Sequence, residues 1–305
     1  NFHAVMGMVF LSAGSDYVRV SRCRIGLPPG LTVEDRPFAA AADAFHFHDE
    51  HGGHVIFENN DIALTDDDPI SLKDGVYRNM VKSGQRSLKV GEKIEPGAEL
   101  ELRKTNLEAL DPPFSARVVS YDETSKSVVM DADIPGEIGA KYHLLNHNHR
   151  TENWIFRGNH FHDLYGRLMI YTGRGTFENN RISGMLSHVG FSAADYDNAG
   201  RPYDIVFRGN LFDRGHGDTS VWGAWPTTPV IDDVSLTNNS FVGTYWDISN
   251  LDGGNISGNY FERVKPKQGA LINLKHSSDI HVVGNVHFDP SGAPFVGADD
   301  DASFH

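Results

Sequence analysis

The chain reads as an all-β protein: a right-handed parallel β-helix, or solenoid, with a small inserted antiparallel β-barrel-like domain. Three observations predict this. A short pattern, apolar-x-apolar-x-x-Asn-x-apolar, recurs along most of the 305 residues. Its copies are spaced by about one solenoid coil. One long interval breaks the rhythm with alternating, turn-rich sequence of another kind.

The pattern appears as VIFENNDI (55–62), WIFRGNHF (154–161), GTFENNRI (175–182), IVFRGNLF (205–212), VSLTNNSF (234–241), NISGNYF (255–261) and IHVVGNVHF (280–288). A fainter copy, VRVSRCRI (18–25), carries Cys23 in the asparagine slot. From Asn159 the asparagines fall at 180, 210, 239, 259 and 285, in steps of 20 to 30 residues. Alternating residues such as Val55 and Phe57 then point inward. The asparagine is expected to take a left-handed turn and to stack in a ladder with its counterparts. Helical or leucine-rich arrays would show helical periodicity or regular leucines, and neither occurs.

Asn60 and Asn159 are separated by 99 residues. Within that interval, AELELRK and FSARVVSYDETSKSVVMDADI alternate around short turns, as a small antiparallel domain would. The expected organisation is β-helix over 1–75, inserted domain over 76–143 and β-helix over 144–305. Insertions in such arrays gather on one face, often the binding face.

Composition narrows the partners. Hydrophobic residues at 39% suffice for a sizeable core. The net charge of −14 disfavours nucleic acid and anionic membranes. With Cys23 alone, no internal disulfide can form. The opening NFHAVMGMVF reads as mid-domain, so a truncated N-terminus is expected, and the missing signal peptide says little about export.

The triplet Asp66, Asp67 and Asp68 crowds like charges before a strand. DAFHF (43–47) and DPISL (68–72) share the form Asp-x-apolar-x-apolar, 25 residues apart. On consecutive coils Phe45, Phe47, Ile70 and Leu72 point inward, His46 and Ser71 outward, and Asp43 stacks on Asp68 about 4.8 Å away. Asp67, of opposite parity, faces outward beside them. Carboxylates this close cannot all ionise at their usual pKa, the requirement for a general acid beside a general base. An Asp-rich turn that binds calcium is the competing use of the triplet.

ADAFHF followed by GGHVIFENNDIALTDDDPISL resembles glycoside hydrolase family 110, the inverting α-galactosidases, over residues 1 to about 241. In that family an ADGIHF-like strand precedes a DDAINVHG-like one and a small barrel follows. The resemblance implies a secreted or periplasmic glycosidase with Asp43, Asp67 and Asp68 as catalytic residues, Asp66 being the alternative if the turn is gapped differently. It also implies substrate contacts from Asn146 in LLNHNHR and from Arg167 in YGRLMIY. The family's WYESG segment has no clear counterpart; DYDNAGRPY offers Asp197 near the glutamate position.

His46, outward beside Asp43, is the histidine expected to bind substrate, and His188 joins the same set. His46, His48, His51 and His54, like the NHNHR run, could hold a transition metal. Carbohydrate sites also use neutral imidazoles to bind hydroxyls, so no metal centre is expected. Gly-His-Gly within RGHGDTSVWGAW resembles a short polygalacturonase motif, and Trp222 has the outward parity for stacking on a sugar ring.

These readings converge on a hydrolase of a terminal glycosidic bond, α-galactosidic by resemblance, acting with inversion on an oligosaccharide or glycan without a cofactor. Asp66, Asp67 and Asp68 could also hold a structural calcium. The alternatives are a polysaccharide lyase, which the negative charge opposes for a polyuronate, and a non-catalytic carbohydrate-binding β-helix. A homodimer is compatible with an exchangeable inserted domain and an exposed solenoid end.

Overall fold

Among the described residues the coils contribute strands to three parallel sheets, of nine, eight and eight strands, and the protein is a parallel β-helix. The computed structural model describes the chain except residues 1, 3–6, 49–52, 106, 137, 139–141, 185–188, 192–193, 196–197, 214–218, 222–230, 245, 265–268 and 301, with backbone alone at 189–191, 194–195, 198–199 and 219–221. Among the described residues there is no α-helix, so none is long and apolar enough to cross a membrane.

Strand alternation builds the core. Phe57, Phe156, Phe177 and Phe207 are register partners in one eight-stranded sheet. In the other, Phe212, Phe241 and Phe261 stack with ring centroids 5.0 and 4.8 Å apart. All seven rings are buried, each contributing on the order of 1.5–3 kcal/mol. The same parity fills the nine-stranded sheet with Phe45, Phe47, Ile70, Leu72, Leu168 and Ile170.

The asparagine column runs unbroken from Asn60 through Asn159, Asn180, Asn210, Asn239 and Asn259 to Asn285. Each Nδ2 donates to the next Oδ1 at 2.9–3.1 Å. Each backbone N–H donates to that same oxygen, and each Nδ2 also reaches a carbonyl of the preceding coil, such as Phe57 O at 2.9 Å. The amides are therefore satisfied although buried. Cys23 begins the column by donating its backbone N–H to Asn60 Oδ1 at 2.8 Å.

One expectation needs correction. The left-handed residue is not the ladder asparagine but the residue before it: Arg22, Asn59, Gly158, Asn179, Gly209, Asn238, Gly258 and Gly284 all have φ between 53° and 64°. The turn is made one position early, and this points the following amide inward.

Between two coils the chain leaves for a seven-stranded antiparallel sheet that begins with Val76–Tyr77 and ends with Tyr142–Asn146. It has its own core, centred on Met80, Leu88, Ile94, Leu100, Val128 and Leu144. The strand Ala109–Asp122 pairs first with Glu99–Lys104 and then with Ser127–Met130, bending across the sheet. Its turn is tied by Asp122 Oδ1, which accepts from Thr124 and Ser125 N–H at 2.9 and 2.8 Å. Among the described residues no ladder joins the edge strands Val76–Tyr77 and Val81–Gly84, so hydrogen bonds do not close the sheet into a barrel. The boundary expected at residue 143 falls inside the strand Tyr142–Asn146.

Candidate active site

Three neighbouring strands of the nine-stranded sheet, Phe45–His48, Ile70–Lys73 and Leu168–Tyr171, pair Phe45 with Ile70 and Ile70 with Leu168. The segments entering these strands carry Asp43, Asp67 with Asp68, and Gly166 with Arg167. Ala44 N–H donates to Asp68 O at 3.0 Å, extending the ladder one step beyond the strands.

A carboxylate oxygen from each of Asp43, Asp67 and Asp68 lies within 4.8 Å of the others. Asp43 and His46 are both 8% exposed, and Asp43 Oδ2 lies 2.6 Å from His46 Nδ1. His46 thus faces outward by parity yet is covered, and Asp43 orients its ring. Asp67 is exposed and its Oδ1 accepts from Asp68 N–H at 2.9 Å. Asp68 is half-buried and its Oδ1 accepts from Arg167 N–H at 3.0 Å. Burial pushes the Asp68 carboxyl up to about 7; the charges of Asp43 and Asp67 add to the rise, and the Arg167 N–H opposes it. Asp68 therefore holds a proton for a substantial fraction of the time at neutral pH.

Gly166 allows this approach. A Cβ there would sit 2.1 Å from Asp67 O and 2.5 Å from Asp68 N. One residue earlier, Tyr165 is 45% exposed and meets Phe38 edge-on, with centroids 4.9 Å apart. Its backbone N–H is fixed to Thr65 O at 3.1 Å. An exposed aromatic ring in the segment that also carries Gly166 and Arg167 can stack on a sugar face. In the sequence the signal for Tyr165 is an aromatic beside a glycine in the Arg167 segment.

The other expected site residues divide. Asp66 is exposed and stands outside the convergence of the three carboxylates, with its N–H donated to Ala40 O at 2.9 Å. Asn146, expected as a substrate contact, lies in the inserted sheet. It is 1% exposed, donates to Tyr77 Oη at 3.3 Å and accepts from Asn148 N–H at 3.0 Å. Pairing with Leu100 makes it part of the inserted sheet. His188, Asp197 and Trp222 lie outside the described residues, as does the Gly-His-Gly tripeptide.

Of the NHNHR run, His147 Nε2 is 3.1 Å from Glu101 Oε2, a structural pair inside the inserted domain. The rings of His46 and His48 are 6.5 Å apart, and no third ligand joins them among the described residues.

A second polar cluster, also unforeseen, occupies the far end of the Ile70–Lys73 strand. Asp74 is buried, accepts from Thr151 N–H at 3.2 Å and is pushed up to about 7 by burial, with Arg150 opposing. Arg150 and Arg174 lie over the Tyr203 ring at 5.6 and 5.7 Å, and the Tyr203 hydroxyl donates to Glu152. Burial and Glu152 raise that hydroxyl to about 12.

No family model and no curated protein matches the chain. Among solved structures it is similar to the Gp54 tailspike of Acinetobacter baumannii bacteriophage AP22 in complex with A. baumannii capsular saccharide. That match has 12% identity and a TM-score of 0.21, and covers 90% of this chain and 52% of that one. It is also similar to the Pseudomonas phage phi297 tailspike gp61 (9% identity, 84% and 72% covered, TM-score 0.22) and to tailspike gp49 of Pseudomonas phage LKA1 (7%, 87% and 72%, 0.20). The chain spans about half the length of the first of these. The β-helix assignment rests on the strand ladders themselves.

Proposed function

We propose that the chain hydrolyses an O-glycosidic bond at Asp43, Asp67 and Asp68. The observation that carries this reading is the convergence of those three carboxylates from consecutive coils, within 4.8 Å. Asp68 is the general acid: half-buried and raised to about 7, it can donate its proton to the leaving oxygen near neutral pH. Asp67, the exposed member, acts on the reacting carbon or on water. Asp43, tied to His46, adds negative charge to the rise that burial gives Asp68 and steadies a developing oxocarbenium ion. Tyr165 is the stacking platform.

The substrate named by the resemblance is a terminal α-galactoside, and it is the first to test. The resemblance also implies inversion, which asks for roughly 6.5–9.5 Å between carboxyl groups, against roughly 5–5.5 Å for direct attack by a carboxylate. Oxygens within 4.8 Å favour the shorter arrangement. Inversion requires the aspartates to part around the sugar.

The experiment is a panel of aryl α- and β-glycosides and oligosaccharides, with the first-formed anomer followed by NMR and Asp68→Asn and Asp43→Asn as controls. Turnover lost in both folded variants supports the reading. Glycan binding without turnover by the parent chain replaces it with a non-catalytic binding protein, and an unsaturated product absorbing in the ultraviolet replaces it with a lyase. The same three oxygens also suit a hard cation such as calcium. A large fall in Tm on chelation, reversed by calcium and absent in Asp43→Asn, would assign them to the ion.

A further inference from the structure

We propose that Asp61, His160 and His162 form a binding site for a divalent transition-metal cation, with Zn2+ as the cation to test. The site lies on the outer face of the eight-stranded sheet that follows the asparagine column, and it is independent of the proposed glycosidase site.

Strand parity brings the ligands together. On the strand His160–His162 the central Phe161 is buried in the core, so both histidines face outward. The neighbouring strand, Asp61–Ala63, pairs Asp61 directly with His160. The two imidazoles stack with centroids 4.3 Å apart, and one ligand atom from each of the three residues lies within 4.8 Å of the others.

The rings are oriented as metal ligation requires. His162 Nε2 lies 2.9 Å from Asp61 Oδ1, while its Nδ1 lies 2.8 Å from Asp163 Oδ2. His160 Nδ1 lies 3.6 Å from the same Asp61 oxygen, while its Nε2 lies 3.2 Å from Ser183 Oγ. Each ring thus presents one nitrogen to the shared carboxylate and has the other held from behind by an oxygen. Outer oxygens fix imidazole ligands in this way at metal centres. Asp163 reaches its position through a left-handed turn with φ of 52°. Asp61 Oδ2 is left to Arg24, whose Nε is 3.5 Å away, so metal binding through Oδ1 need not displace that pair.

Two imidazoles and one carboxylate make a three-ligand zinc set, with a fourth position for water. A cavity of about 310 Å³ lined by Arg24, Pro28, Leu31, Asp61, His162 and Asp163 opens beside two of the three ligands. With ligand bonds of about 2.1 Å the donors would lie roughly 3.4 Å from one another, so the Asp61–His162 pair at 2.9 Å would open and the Asp61–His160 pair at 3.6 Å would close slightly. Asp61 and His160 sit on adjacent strands but lie on opposite sides of the inserted domain in sequence. The ion would pin the coil that leaves for the insertion to the coil that returns from it. It would also anchor the strand from which the Asp66–Asp68 turn departs.

The test uses the full chain stripped with EDTA and dialysed. Calorimetric titration with ZnCl2 should show one tight site per chain and a higher Tm on loading, because an ion that binds only the folded state stabilises it. His160→Gln and His162→Gln should each weaken that binding about tenfold or more, with unloaded melting close to that of the parent. On the parent chain itself, imidazole NMR resonances of His160 and His162 should shift during the same titration, a readout that needs no variant to fold. Absence of a stoichiometric zinc site, or zinc binding that leaves both variants and both resonances unchanged, would overturn the proposal. Calcium, which prefers oxygen ligands, should not compete.

Discussion

Gly166 packs against Asp67 so closely that a single methyl group on it would reach to 2.1 Å from the Asp67 carbonyl oxygen. This approach lets Arg167 N–H reach Asp68 Oδ1. Gly166→Ala must push the two coils apart locally. The expected cost is about 1–3 kcal/mol, as for overpacking elsewhere. Because the Arg167 N–H favours the ionised form of Asp68, losing it should move the alkaline limb of activity upward while reducing turnover. Thermal melts and a pH–rate profile check both effects; an Ala variant identical to the parent in both would remove Gly166 from the site.

The pH dependence has a definite sign. Asp68 and Asp74 are both raised from 3.8 to about 7 by burial. Over that interval the folded state binds more protons than the unfolded chain, so their contribution is complete below about pH 4 and is lost as pH rises towards 7. Activity that needs protonated Asp68 should fall above about 7 for the same reason. Urea titrations between pH 4 and 8 should show that Asp74→Asn loses less stability with rising pH than the parent does. An equal loss in the two would mean that Asp74 titrates normally.

How legible the site was depends on how far its partners lie along the chain. Asp43 and Asp68 could be aligned because strand parity and the 25-residue interval are local properties of two similar strings, and the Phe45–Ile70 register has that same interval. The ladder was visible as a repeat, but Asn-Asn and Gly-Asn do not announce which residue turns and which stacks. Asp74 could not be read, because the amide that meets its carboxylate belongs to Thr151, 77 residues on and beyond the inserted sheet. Asp61 and His160 were hidden by the same gap. The use of the Asn146 side chain by the inserted sheet, through Tyr77, is a pairing that the resemblance does not encode.

Tyr165 should affect binding rather than folding. Its ring is 45% exposed, and what it touches is the half-buried Phe38. If the proposed function holds, Tyr165→Ala should raise KM for a glycan by about two- to tenfold, in line with an aromatic stacking contribution of about 0.5–1.5 kcal/mol, and leave kcat and Tm nearly unchanged. Tyr165→Phe should restore KM, since stacking needs the ring and not the hydroxyl. Failure of the phenylalanine to rescue would exclude the platform role.

Two adjacent asparagines should respond in opposite ways. Asn180 is buried and its amide makes four hydrogen bonds, to Asn159 N–H and Nδ2, to Phe156 O and to Asn210 Oδ1, all at 2.9–3.1 Å. Asn180→Ala strands these partners in the core, and each orphaned polar group costs about 1–3 kcal/mol. A loss of at least about 3 kcal/mol is expected even after relaxation. Asn180→Asp should be no better, because a second acceptor would face two oxygens where a donor is required. Asn179, by contrast, is exposed and holds φ of 53°. Glycine adopts that conformation freely, so Asn179→Gly should change stability by less than about 1 kcal/mol. Chemical denaturation of the three variants measures the difference; similar losses at 179 and 180 would show that the turn, not the amide column, holds successive coils in register.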